Sequence, residues 1–226
     1  DMYMEQNEHV TINVEQTGSG AGVTSAGDGT ADIGMASREV KDEEMTTYPD
    51  MKVSVLCLDG VAVVVNADNP VKDLTAEQIA EIYAGEITNW KEVGGDDKKI
   101  TLYSRDASSG TRGAFTELFL NEVEIDDTKC IIVNSGGAIG TGVEGDVSGI
   151  GYISLGVVHE YNVAALKISG VDATIENMIS GTYNYFRNFN LLTMGDATGE
   201  VAAFIEYCLT DSAAIDYMSG KGYVAK

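Results

Sequence analysis

Ser104-Arg105-Asp106-Ala107-Ser108-Ser109-Gly110-Thr111-Arg112-Gly113-Ala114-Phe115 sets two arginines, an adjacent serine pair, a threonine and two glycines between two regular patterns. Before it, residues 99–103 alternate apolar and polar side chains, as a half-buried strand does. After it, residues 114–120 place apolar pairs one helical turn apart. The stretch therefore predicts a strand-to-helix turn. At such a turn the first amides of the helix have no partner inside the helix and face outward.

Outward from this turn, strand and helix patterns alternate along the chain. Residues 10–14 read as a strand, followed by the glycine-rich residues 18–22. Residues 31–35 are a short apolar run ending in Ala36-Ser37-Arg38. Residues 53–58 and 61–65 are β-branched runs separated by Asp59-Gly60. Thr75 and Gln78 have capping-box spacing, and Ile79, Ile82 and Tyr83 give the helix they open a buried face. Later, residues 131–133, 149–156 and 189–193 read as strands, and residues 201–209 and 213–218 as helices. Such alternation implies α/β layers. The runs at 57–65 and 150–156 read as crossings between two lobes. The expected lobes are 1–59 with 152–226, and 60–151.

Composition narrows the function classes. The 226 residues are 44% hydrophobic, enough for a substantial core. There are 26 glycines but only two prolines, so the glycines serve turns and close backbone approaches rather than a disordered linker. No apolar stretch approaches the roughly 18 residues of a membrane span, and none reads as a signal peptide. Fourteen basic residues against 36 acidic ones leave a net charge of −22, which excludes nucleic acid as a partner. It does not exclude a small anion, because exposed charges are screened over about 8 Å. Cys57, Cys130 and Cys208 are far apart, form no C-x-x-C pair and have only His9 and His159 beside them, so they read as buried thiols. Neither a metal nor an organic cofactor is expected.

Three Gly/Ser turns follow strands. In the first, Thr17-Gly18-Ser19-Gly20-Ala21-Gly22, Val23 stands where a dinucleotide fingerprint needs its third glycine. The turn at 104–112 lacks the Gly-Lys-Ser/Thr ending of a phosphate-hydrolysing loop. Neither G-x-S-x-G nor H-E-x-x-H occurs. What remains is capture of an anion by a helix N-terminus. Ser109 and Thr111 supply hydroxyls there, Gly110 allows close approach, and Arg105 brings a planar fork.

Five stretches carry a resemblance that spans essentially the whole chain: TGSGAG (17–22), ADIGMASRE (31–39), LTAEQIAEIYAGEITNW (74–90), SRDASSGTR (104–112) and IGYISLG (150–156). In them the chain resembles the phosphate-binding proteins of bacterial ABC phosphate transporters. The resemblance implies a type II periplasmic-binding-protein fold, α/β, with mixed sheets flanked by helices in two lobes and a hinge between them. It implies a solute-binding protein, not an enzyme, that captures inorganic phosphate by hinge closure and delivers it to ABC transporter permease subunits. By position it assigns the anion to Ser19, Ser37, Arg105, Ser109, Gly110 and Thr111. Asp106 is the nearest candidate to accept the phosphate proton, since Ser37 and Ala107 stand where some relatives carry aspartate. The implied location is extracytoplasmic, as a cell-surface lipoprotein or in the periplasm, touching the membrane only through an N-terminal anchor.

Residues 1–7 resemble the end of the family's first helix. The expectation is a chain lacking the strand, the Ser/Thr-rich loop and most of the helix ahead of it, which either self-associates through the strand edge so exposed or binds phosphate much more weakly than a complete chain. The alternatives are a binding protein for another tetrahedral oxyanion, sulfate or molybdate, and an enzyme handling phosphoryl groups. The latter would need a metal cluster or nucleophile–base pair.

Overall fold

The chain starts with a short helix, α1 (Met2–Gln6), followed by α2 (Ser19–Gly27), β1 (Gly34–Ala36) and α3 (Asp42–Thr47). A 16-residue strand, β2 (Met51–Asn66), then leads into β3 (Asp73–Leu74), α4 (Ala76–Ala84), β4 (Thr101–Arg105) and α5 (Gly110–Leu120). Next come β5 (Cys130–Val133), α6 (Gly136–Glu144), β6 (Gly149–Ser154), β7 (Val163–Ala165), β8 (Lys167–Ile168) and α7 (Ile175–Ile179). The chain ends with β9 (Phe186–Met194), α8 (Gly199–Thr210), α9 (Ser212–Gly220) and β10 (Val224–Ala225). This computed structural model describes residues 1–121 and 123–226. It contains two units, Asp1–Leu58 with Asn188–Lys226, and Asp59–Arg187. Among the described residues no helix is long and apolar enough to cross a membrane.

In the second unit, β2 pairs antiparallel with β6 along Val61–Val65 and with β7 along Val64–Asn66. β6 pairs parallel with β4, and β4 with β5. Residues 61–65 are all 0% exposed. Successive side chains of a strand point to opposite faces, so an unbroken apolar run fits a strand covered on both. Helix α4 starts as its sequence predicts: Thr75 Oγ1 accepts the Gln78 amide at 3.2 Å, and Gln78 Oε1 accepts the Thr75 amide at 2.9 Å. It ends at Gly85, whose φ of 80° is open to glycine but costly for other residues. Tyr83 meets Phe115 of α5 edge-on at 4.8 Å, and Phe115 stacks on Tyr152 of β6 at 4.1 Å.

The first unit has a smaller core of Val23, Ala26, Ala36, Met51 and Leu192. β1 pairs antiparallel with β9, and β10 with β2. Helix α2 lies directly on β1 because Gly22 and Gly34 have no side chains: a Cβ on Gly22 would strike the Met35 carbonyl, and one on Gly34 the Gly22 carbonyl.

Several expectations change. The break expected at Asp59-Gly60 is absent. β2 runs through it, since Gly60 admits Leu155 where a Cβ would lie 2.8 Å away and Arg187 pairs with the Asp59 carboxylate. The lobe boundaries were expected at 59/60 and 151/152, whereas the units meet at 58/59 and 187/188. β6 does not carry the chain back to the first unit. It pairs with β2 and β4, and the segment after it stays in the second unit through β7, β8 and the Tyr183 hydroxyl, which donates to the Val61 carbonyl at 2.8 Å. β9 makes the return. Residues 10–14 are not a strand, because no strand of the described residues pairs with them, and Val14 is 67% exposed. In α1, Tyr3 is buried against Phe204 and Tyr207. Among the described residues β1 pairs with β9 alone. Cys57 is buried and Cys130 half-buried, and burial pushes the Cys130 thiol up to about 11.

Candidate functional site

β4 ends at Arg105 and α5 begins at Gly110. Between them the Asp106 carbonyl accepts the Ser109 amide at 3.1 Å. Asp106 Oδ1 accepts the Ser108 amide at 3.0 Å and also the Ser108 hydroxyl. Ser109 caps α5, its Oγ accepting the Arg112 amide at 3.3 Å. That bond uses an oxygen lone pair and leaves the hydroxyl hydrogen of Ser109 able to donate. The amides of Gly110 and Thr111 lie in the first turn, where helix geometry supplies no partner and the helix dipole is positive. Ser109 and Gly110 are buried, and Thr111 is half-buried.

Arg105 completes the turn. Its side chain is 15% exposed, and Nη2 lies 3.8 Å from Asp106 Oδ2. Its Nε is buried with no hydrogen-bond partner among the described residues. A buried unpaired donor costs about 1–3 kcal/mol, a cost removed when an acceptor arrives. The Ser108 hydroxyl, opposed by burial and aided by the Ser108 amide and the Arg105 charge, holds the Asp106 carboxyl below its ordinary range. Asp106 is therefore ionised at neutral pH and able to accept a hydrogen bond.

The first unit brings Ser19 and Ser37 together. Ser19 opens α2 and Ser37 follows β1. Ser19 Oγ accepts the Ser37 amide at 3.0 Å, and the two hydroxyl oxygens are 3.2 Å apart. Their approach follows from the glycine contact between α2 and β1. The residue after Ser37 is pinned from two directions. Arg38 is 8% exposed and forks onto Glu44 with bonds of 2.8 and 2.7 Å, while its carbonyl accepts Asn190 Nδ2 at 2.9 Å.

Burial would raise the Glu44 carboxyl, but the Arg38 fork and the Lys41 amide outweigh it and hold it low. A carboxylate depressed in the folded state stabilises above its unfolded pKa of about 4.3, and that stabilisation fades as pH falls through the folded value. Glu44→Gln should therefore cost about 2 kcal/mol near neutrality, and less with each step of acidification below about pH 4. Urea unfolding across pH 3–7 reads this directly. A cost that does not change with pH would show that the ion pair contributes nothing.

Arg112, Tyr152 and the Arg38–Glu44 pair escaped the sequence reading. Arg112 stood inside the decisive stretch, and its place in the first turn of an apolar helix was the available signal. For Tyr152, 47 residues from Arg105 along the chain, periodicity held none. Within the second unit, the turn from Arg105 to Thr111 sets neutral donors beside one guanidinium, suited to holding a tetrahedral anion by hydrogen bonds.

Residues 1–212 match the family model described as a PBP superfamily domain. The phosphate-binding protein PstS of Bacillus subtilis is 30% identical over 224 residues, covering 99% of this chain and 74% of the relative. PstS of Borreliella burgdorferi is 28% identical, covering 98% of this chain and 82% of the relative. Among solved structures, a phosphate ABC transporter substrate-binding protein from Clostridium perfringens, with bound phosphate, aligns at a TM-score of 0.90 and 36% identity. That alignment covers 100% of this chain and 91% of the other. An ABC-type phosphate transport receptor from Vibrio cholerae aligns at 0.85 and 35% identity, covering 100% and 92%.

Proposed function

Because this chain belongs to the family of phosphate-binding proteins and is a phosphate-capturing solute-binding protein, we propose that capture runs through the turn from Arg105 to Thr111 and the Ser19–Ser37 pair. The observation that carries this is the buried Nε of Arg105, unpartnered among the described residues, beside the N-terminus of α5. Arg105 offers its fork, the amides of Gly110 and Thr111 and the hydroxyls of Ser109 and Thr111 donate, and Ser19 and Ser37 add hydroxyls. Apart from Asp106 these groups are donors, suited to holding a dissociable ion by hydrogen bonds. The captured phosphate passes to the permease subunits of an ABC importer, and the protein works outside the cytoplasm, at the cell surface or in the periplasm. Calorimetric titration with phosphate, beside sulfate, molybdate and a phosphate ester, tests the reading. It fails if phosphate releases no binding heat, if another oxyanion binds more tightly, or if the ester is turned over.

Asp106 is the group proposed to accept the proton of the bound phosphate, through the oxygen that Ser108 does not occupy. An amide in its place offers a donor and removes repulsion of a fully ionised ligand. Asp106→Asn should thus narrow the preference for phosphate over sulfate by about tenfold, one good hydrogen bond to a charged group. An unchanged ratio in a competition titration would assign the acceptor role elsewhere.

A further inference from the structure

Arg105 is held by its backbone from two sides, by side chains that reach it from elsewhere in the second unit. The registered pairs of β4 with β6 are Thr101 with Gly149 and Leu102 with Ile150. Beyond them, the Arg105 amide donates not to a strand carbonyl but to the Tyr152 hydroxyl, at 3.1 Å. The Tyr152 hydroxyl also bonds Ser104 Oγ at 2.8 Å, and both Tyr152 and Ser104 are 0% exposed. On the other side, the Arg105 carbonyl accepts Nη1 of Arg112 at 2.8 Å. The Arg112 guanidinium is itself fixed, with Nη1 on Asp127 Oδ1 at 2.6 Å and Nη2 on the Ile125 carbonyl at 3.1 Å.

We propose that Tyr152 and Arg112 are positioning residues of the anion site, clamping the Arg105 backbone so that its Nε–H is aimed before the ion arrives. This rests on reading the turn from Arg105 to Thr111 as the phosphate anchor. A long side chain loses rotamer freedom when it binds, and a fixed attachment point lowers the part of that cost that falls at binding. Nε is the guanidinium nitrogen nearest the backbone, so it responds most directly to where the backbone is held. Neither Tyr152 nor Arg112 needs to touch the ion. The Tyr152 ring stays locked by its stack on Phe115, with planes 7° apart, which leaves the hydroxyl removable alone.

The test compares phosphate affinity, thermal midpoint and the Nε–H resonance of Arg105 in the parent, Tyr152→Phe, Arg112→Lys, Arg105→Ala and a control, Ile153→Val. Ile153 is 0% exposed on the same strand, so its truncation lowers the midpoint without touching the clamp. The expected result is affinity weakened about five- to tenfold in Tyr152→Phe and about tenfold or more in Arg112→Lys. The Arg105 resonance of the phosphate complex should shift or broaden in both, while Ile153→Val binds like the parent. Should Arg112→Lys fail to fold, Asp127→Asn replaces it. Parent-like affinity and resonance in Tyr152→Phe, with Arg105→Ala weak, would overturn the clamp and leave the phosphate anchor standing. Weakening by Ile153→Val to the same extent would also overturn it, by making the effect one of general stability. Parent-like binding by Arg105→Ala, or no phosphate binding by the parent, would overturn the anchor and the clamp together.

Discussion

Asp59→Ala should cost the protein about 3–5 kcal/mol of folding stability, because it strips a carboxylate from a buried guanidinium. Asp59 is 0% exposed and Arg187 is 7% exposed. Nε and Nη2 of Arg187 donate to Asp59 Oδ2 at 3.0 and 2.8 Å, and the Ser154 hydroxyl donates to Oδ1 at 2.5 Å. The two charged residues lie at the ends of the second unit, Asp59–Arg187, where β2 enters it and β9 leaves. Removing both charges is a different perturbation from removing one, since no charge is then left buried. Asp59→Leu with Arg187→Met should accordingly recover most of the loss. Urea unfolding of the single and double variants gives the comparison. A single-variant loss below about 1 kcal/mol, or a double variant no better than the single, would refute this account of the pair.

Arg105→Ala should weaken phosphate binding by about 1.5–3 kcal/mol, a rise in Kd of roughly ten- to 150-fold. Arg105→Lys should fall near the same range, since it keeps the charge but loses the fork and the Nε–H. The ligand-free protein should respond in the opposite sense from most buried substitutions. The Arg105 Nε is a buried donor without a partner among the described residues, so truncation removes a desolvated group and should leave ligand-free stability unchanged or slightly higher. Calorimetry for affinity and urea unfolding without phosphate separate the two effects. Phosphate affinity equal to the parent's would sink the assignment of the turn.

Local chemistry by itself determined much of the protein. The capping box of Thr75 and Gln78, the Ser109 cap and the alternation ahead of Arg105 act over three to five residues, and each formed as written. So did the α/β class and the turn that carries the candidate site. The pairing of Ser19 with Ser37 was legible only as two separate motifs. Their 3.2 Å approach needed α2 seated on β1, a contact between glycines that no local pattern states. Tertiary structure alone decided the rest. Residues 10–14 have a strand's pattern, but a strand is made by its partner's hydrogen bonds and they have none among the described residues. Asp59-Gly60 has the look of a break, yet an arginine 128 positions along the chain pairs with the charge and lets the strand continue. The return crossing fell to β9 rather than β6 because a run of apolar residues says only that it is buried. Which neighbours bury it depends on distant segments, and there the Tyr152 hydroxyl also finds the amide of Arg105.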